Sequence, residues 1–253
     1  MPPRLFVPSA RRTGDRVVID GDELHYVRSV LRLQPGIEVR VFNGAGSQWQ
    51  ATIATVARAS ADVVLDTQLI DVSEPRFPVT LGLSILKSSF METAIRDSVM
   101  LGVAAIQPIV SARSQDGRDA GWTTAAKRWE RIALSSARQS ERLYLPVIPE
   151  PLPLATWLDQ QPSADAVRFV LAEPILGAGA VDLKGLRDRA ISGGVSLLVG
   201  PEGGWTPEEL ALARRSGFIP WTINRRVLRA DAAPLAALSI LFHAWDAVAD
   251  PPS

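Results

Sequence analysis

VSLLVGPEGG, residues Val195–Gly204, is the stretch on which the reading of this chain turns. Val195–Val199 is apolar but for Ser196, the composition of a strand buried on both faces of a parallel sheet. Gly200 ends the strand, Pro201 fixes φ, Glu202 supplies a charge, and Gly203 and Gly204 permit backbone angles closed to other residues. Such a backbone can approach a ligand closely, and in open α/β sheets ligands sit outside the carboxyl ends of the strands. Thr206-Pro207-Glu208-Glu209 then starts a helix: Thr206 can accept from the Glu209 amide, Glu209 can return the bond, and Pro207 suits the first helical position. The helix adds free amides and a positive dipole end beside the loop, and Ser216-Gly217 stops it. The segment reads as the floor of a ligand site. A tight strand-to-helix turn with glycines needed for geometry alone is the competing reading.

Downstream, WTINRRVLRADAAP (Trp221–Pro234) repeats the plan of strand, loop and helix start, with three arginines and one aspartate in the loop. These charges ask for an anionic or dipolar partner, unless the loop is merely solvated and Asp231 serves the helix N-terminus. The last helix, Pro234–Ala249, carries Leu235, Leu238, Leu241, Phe242, Trp245 and Val248 at helical spacing. Upstream, strands are expected at Val79–Leu86, Ala104–Val110, Val167–Leu171 and Phe218–Ile223, with helices at Phe90–Leu101, closed by Gly102, and Thr123–Ser140. This alternation predicts an α/β domain with a mainly parallel sheet covered by helices on both faces. DVSEPRFP (Asp71–Pro78) marks a boundary. Before it the pattern is β-rich, with strands at Leu5–Val7, Arg16–Asp20, Ile37–Phe42, Gln48–Val56 and Asp62–Ile70. One helix, Glu23–Leu33, is capped by Asp22 and stopped by Pro35-Gly36, and the whole suggests a small barrel. The expected domains are 1–72 and 77–253.

The chain has 253 residues, 47% hydrophobic and 21% charged, an ordinary globular composition. It contains no cysteine, which excludes disulfides, thiolate nucleophiles and Cys-based zinc sites and fits a reducing compartment. No signal peptide or membrane helix is recognisable, so a cytoplasmic location is expected. Basic and acidic residues balance at 27 each. Local charge is less even: Leu210–Ala230 holds five arginines and no acid, and Ser111–Leu145 seven basic residues against four acidic. Gly44-Ala45-Gly46 lacks the third glycine of a dinucleotide fingerprint and reads as a hairpin turn; Gly177-Ala178-Gly179 is no stronger. The two histidines, His25 and His243, are too few for a multi-histidine metal site, and His243 reads as a core residue of the last helix.

LLVGPEGGWTPEEL and RRVLRADAAPLAAL together resemble the paired signatures of the ribosomal RNA small-subunit methyltransferase E family, uridine-N3 methyltransferases of the SPOUT class. HYVRSVLRLQPG with VFNG, LKSSFMETAIRDSVMLGVAAIQPIV and RQSERLYLPVI extend the resemblance over nearly the whole chain. It implies a PUA-like RNA-binding barrel followed by a SPOUT domain with a C-terminal trefoil knot, acting as a homodimer without a metal. It further implies S-adenosylmethionine as methyl donor and a uridine in the decoding region of 16S rRNA, within the 30S particle, as acceptor.

Carried over position by position, the resemblance places Leu171, Glu173, Gly200, Pro201, Glu202, Gly203, Ile223, Val227, Leu228 and Arg229 at the cofactor. His25, Arg28, Arg32, Arg142 and Arg226 would face RNA. This chain departs from the family pattern at Asp97–Gly102, where KATELG is usual, and at Arg138, Asn224, Asp231, Ala232 and Pro234. The imide N3 of uracil is a poor nucleophile until its proton leaves, so Glu202 and Asp231 are the candidate bases, and Arg229 with Arg226 the candidate anion stabilisers and phosphate holders. Gly203→Val is expected to abolish donor binding. A non-catalytic RNA-binding or ribosome-assembly protein that kept the fold is the alternative. A nucleotide-dependent oxidoreductase has only the incomplete glycine fingerprints behind it.

Overall fold

The computed structural model describes residues 2–8, 12–70, 74–114, 122–161, 166–174 and 193–246. Gly177-Ala178-Gly179 and Val248 lie outside them. The chain divides into two compact units, Met1–Glu74 with Ala137–Leu145, and Pro75–Ser136 with Pro146–Ser253. A single cut near Asp71–Pro78 does not describe this division, because a nine-residue excursion of the later chain groups with the first unit.

The first unit is a six-stranded sheet of β1 (Arg4–Phe6), β2 (Arg12–Thr13), β3 (Arg16–Ile19), β4 (Glu38–Phe42), β5 (Gln48–Val56) and β6 (Ala61–Leu69), ordered β1-β4-β5-β6-β3-β2. Leu5 of the edge strand β1 and Val17 of β3 share one buried cluster with Val41, Ile53 and Val63, so the sheet curls around a single core. The expected helix is shorter than its apolar spacing suggests. An α-turn, α1 (Gly21–His25), passes into a π turn at Tyr26–Val30, where the Leu31 amide reaches back to the Tyr26 carbonyl at 2.9 Å. Arg32 then adopts φ 53°, and the reversal buries Leu33. The N-cap is Asp20, with no side-chain bond, and not Asp22, which sits in the first turn.

Buried Arg4 explains why Ala137–Leu145 belongs to this unit. Its guanidinium donates to the carbonyls of Ala137 (3.0 Å), Arg138 (3.2 Å) and Arg142 (2.9 Å), placing a cation on the last carbonyls of helix α3 (Trp122–Gln139). Gly44-Ala45-Gly46 is the predicted turn, and it is also a docking edge: the Gly46 amide bonds to the Leu143 carbonyl and the Leu145 amide to the Gly44 carbonyl. A side chain at Gly46 would collide with the Tyr144 hydroxyl.

Glu23 accepts from the Phe6 amide (2.9 Å) and from Arg138 (2.6 Å). Burial raises its carboxyl above the ordinary 4.5, and the Arg138 charge and the two hydrogen bonds offset only part of the rise. A raised carboxyl binds more protons folded than unfolded, so its contribution is fullest below 4.5 and falls as pH rises through the folded value. Glu23→Gln should therefore gain stability relative to wild type on moving from acid to neutral pH, measured by urea midpoints at both. A constant difference would show that Glu23 does not titrate in this way.

The second unit is an all-parallel six-stranded sheet ordered β12-β10-β11-β7-β8-β9. Its strands are β7 (Val79–Ser84), β8 (Ala105–Val110), β9 (Leu152–Pro153), β10 (Val167–Leu171), β11 (Val195–Val199) and β12 (Ile219–Trp221). β10 and β11 coincide with the sequence reading, while β9 and the short helix α4 (Leu154–Asp159) were not anticipated. Helix α2 (Ser88–Leu101) ends on Gly102 at φ 111°, a left-handed cap that suits glycine. Helix α5 (Pro207–Arg215) starts with the full capping box, Glu209 amide to Thr206 Oγ1 at 3.2 Å and Thr206 amide to Glu209 Oε2 at 3.0 Å. The last helix, α6 (Ala232–Asp246), packs on α2 and buries Leu238, Leu241 and Phe242. Leu235 and His243 are exposed, so His243 is not the core residue its apolar surroundings suggested.

Candidate active site

β10, β11 and β12 lie side by side, and a cavity of about 430 Å³ opens at their carboxyl ends. Its wall is built by the loops after these strands. Leu171 and Glu173 come from the first, Gly200, Pro201 and Glu202 from the second, and Ile223, Arg226, Val227, Leu228 and Arg229 from the third. The two loops singled out in the sequence thus face one another across one space.

Local bonds hold this wall. Buried Trp205 donates its indole N–H to the Leu171 carbonyl (3.0 Å), and Thr222 donates its hydroxyl to the Ala172 carbonyl (3.1 Å). The Gly204 amide closes a turn on the Pro201 carbonyl at 2.9 Å, with Gly204 at φ 68°. Arg113 donates to the Gly203 carbonyl (2.8 Å), and Glu209 accepts from the Ala112 amide (2.7 Å), tying the segment after β8 to the same loop.

Two expectations need correction here. Gly203 does not line the cavity: a Cβ there would meet Arg113 at 3.2 Å, whereas neighbouring Gly204 is on the wall, with Glu173 Oε1 3.0 Å from its Cβ position. Asp231 is buried, and its two oxygens grip Arg229 at 3.0 and 2.7 Å. Both oxygens of its carboxylate are engaged in orienting that guanidinium. Arg229 in turn lies 5.0 Å over the Phe90 ring. Glu202 accepts from the Lys87 amide at 2.9 Å through one oxygen.

Lys87 and Phe90 also line the cavity, and the sequence reading passed over both. They follow β7, which pairs with β11, so the start of α2 arrives beside Glu202. The available signal was a lysine, in a chain with only three, between a strand end and a helix start.

The proposed RNA-facing residues separate. His25, Arg28 and Arg32 are exposed on the first unit, with Arg28 donating to the Arg58 carbonyl (2.8 Å). Arg142 is only 6% exposed, and its guanidinium holds Glu74 at 2.9 and 3.2 Å. Glu74 also accepts the Leu143 amide, so Arg142 is a latch inside the first unit. Arg226 is exposed on the cavity wall of the second unit. Among the described residues no cluster suits a metal ion, and no helix is long and apolar enough to cross a membrane.

Residues 73–242 match the family model of an RNA methyltransferase domain, and residues 19–66 that of an RNA methyltransferase PUA domain. A ribosomal RNA small subunit methyltransferase E from Synechocystis is 33% identical over 240 residues, 93% of this chain and 76% of that protein. This chain belongs to the ribosomal RNA small subunit methyltransferase E family. The member from Mycobacterium tuberculosis is 30% identical over 97% of this chain and 94% of its own length. The crystal structure of the Neisseria gonorrhoeae member, bound to S-adenosyl methionine, gives a TM-score of 0.87 at 28% identity, covering 97% of this chain and 98% of that one. A methyltransferase from Legionella pneumophila, also with bound SAM, gives 0.84 at 26% identity over 95% and 97%.

Apart from Arg138, the departures from the usual family pattern form two groups, one on α2 beyond the cavity and one at the cavity wall. Asp97 pairs with Arg96 at 2.8 Å and Met100 is exposed, both beyond the cavity end of α2. Asn224, where the family usually has glycine, is on the wall, and its Oδ1 accepts from the Arg226 amide at 2.6 Å. That bond closes an Asx turn at the start of the loop.

Proposed function

We propose that this chain transfers a methyl group from S-adenosylmethionine to N3 of one uridine in the decoding region of 16S rRNA. The observation that carries the reading is the cavity at the ends of β10, β11 and β12, lined by both signature loops in a member of this family. The wall fits the cofactor. Leu171, Ile223 and Leu228 offer apolar faces, Glu173 a carboxylate for hydroxyl or amino groups, and Gly204 a stretch of backbone with no side chain in the way. When bound, the cofactor supplies an electrophilic methyl on a sulfonium. The chain's own part is to align donor and acceptor and keep water out. Arg229, fixed by Asp231, and Arg226 supply positive charge at the wall, suited to phosphate or to an acceptor carrying negative charge. Glu202 is the remaining candidate base of the two carboxylates first considered.

The reading further includes a first domain over 1–72 that presents His25, Arg28 and Arg32 to RNA, a SPOUT domain over 77–253 with a trefoil knot, a homodimer, an assembled 30S particle as substrate and a cytoplasmic location. The target base must leave its stack to enter the cavity, which favours a single-stranded or distorted site. Purified protein incubated with unmodified 30S subunits and labelled donor should yield N3-methyluridine by nucleoside mass spectrometry. Methyl on another atom would overturn the position; no donor binding by calorimetry would leave the non-catalytic RNA-binding alternative.

A further inference from the structure

We propose that Lys87 is a catalytic residue: its ammonium holds the negative charge that develops on the uracil ring when N3 loses its proton. The inference rests on the reading of the chain as a uracil-N3 methyltransferase.

The charges around the cavity are unequally committed. Both Asp231 oxygens bond Arg229, and one Glu202 oxygen bonds the Lys87 amide. Arg229 is thus paired with its own carboxylate and laid over Phe90. Lys87 differs. It lines the same cavity, its side chain is exposed, and its ammonium forms no ion pair among the described residues. Its backbone is anchored by the bond to Glu202, and it stands at the entry to α2, so its Cα position is set while the four-carbon stem is free to reach inward. An ammonium is a compact charge with three donors, suited to a carbonyl oxygen of a delocalised anion. Phe90, three residues on, is also on the wall, its ring already engaged by Arg229.

The chemistry asks for such a group. The uracil N3–H proton passes to the Glu202 carboxylate on the same wall, and the negative charge spreads over N3 and the two flanking carbonyl oxygens. N3 then gives its electron pair to the methyl carbon as the methyl–sulfur bond breaks, and that bonding pair stays on sulfur. Anion and sulfonium become a neutral base and a neutral thioether. A cation aimed at the carbonyl oxygens lowers the cost of the anion, the term that preorganised charges supply best in a site closed to water.

The test uses full-length protein and unmodified 30S subunits. Lys87→Met should lower kcat by about 100-fold, the usual cost of removing one such stabilising donor. The deficit should shrink as pH rises, because hydroxide then generates the anion without help. It should shrink too on subunits carrying 5-fluorouridine, whose N3–H is more acidic. Lys87→Arg should recover part of the rate. Donor affinity by calorimetry should fall far less than kcat in both variants, since the backbone bond from Lys87 to Glu202 is kept. A readout independent of turnover is the calorimetric affinity for uridine 5′-monophosphate, which should rise with pH in wild type and not in Lys87→Met. If wild type forms N3-methyluridine while Lys87→Met keeps its rate, or loses it equally at every pH and on both substrates, the role assigned to Lys87 is wrong and the proposed function stands. If wild type forms none, the function itself fails.

Discussion

Gly204→Val is expected to reduce affinity for S-adenosylmethionine by about 1,000-fold or more, a change of roughly 4 kcal/mol. Two effects combine. Gly204 sits at φ 68°, where a side chain costs about 1–2 kcal/mol and a β-branched one more. A Cβ would also lie 3.0 Å from Glu173 Oε1, so the new methyl groups push the carboxylate off the wall and occupy the cavity. Gly203→Val is the matched control. Gly203 faces Arg113 instead of the cavity, so that variant should weaken binding far less, by loosening the tether at the Gly203 carbonyl. Calorimetric titration of both variants decides it: equal losses would mean that the loop as a whole, and not Gly204 in particular, makes the site.

Trp205→Ala should destabilise the second unit by about 3–5 kcal/mol, the range for deleting a large buried aromatic side chain. Trp205 is 6% exposed and packs in one cluster with Trp157, Leu198, Leu210 and Phe218. It is also the spacer between two strand ends: its indole bonds the Leu171 carbonyl, and its ring lies where a Cβ on Gly200 would come within 3.0 Å. The melting temperature should fall by roughly 10 °C, and donor affinity should weaken because Leu171 and Gly200 lose their common support. Trp205→Phe separates the terms. It keeps most of the packing and loses the hydrogen bond, for about 1–2 kcal/mol. If the alanine variant melted within a degree or two of wild type, the cluster around Trp205 would not be the core it resembles.

The legible parts of the site were those encoded in consecutive residues. The apolar run Val195–Val199 and the capping box at Thr206 and Glu209 are local patterns, and they sit where the sequence places them. The cavity was half legible for the same reason. Its two signature loops announce themselves by glycine, proline and arginine, while Lys87 and Phe90 sit in LKSSF, which carries no such mark. Lys87 reaches Glu202 only because β7 pairs with β11, a contact across 115 residues. At residues 23–33 apolar spacing does not distinguish an α-helix from one that widens into a π turn and reverses at Arg32.

By itself, then, the sequence determined the α/β class of the second unit, the parallel strands that carry the cavity, and the loops that meet there, since strand burial and helix caps depend on neighbours along the chain. Tertiary structure decided the roles of individual charges and glycines. Arg142 is a latch because Glu74 waits 68 residues away, and Asp231 orients Arg229 because a buried carboxylate needs a charged partner. Gly204, not Gly203, is on the cavity wall because the loop closes on Pro201 with Gly203 set against Arg113. A side chain's type is written in the sequence, but its partner is settled by packing, and in this protein the partner decides whether a charge is structural or free to act.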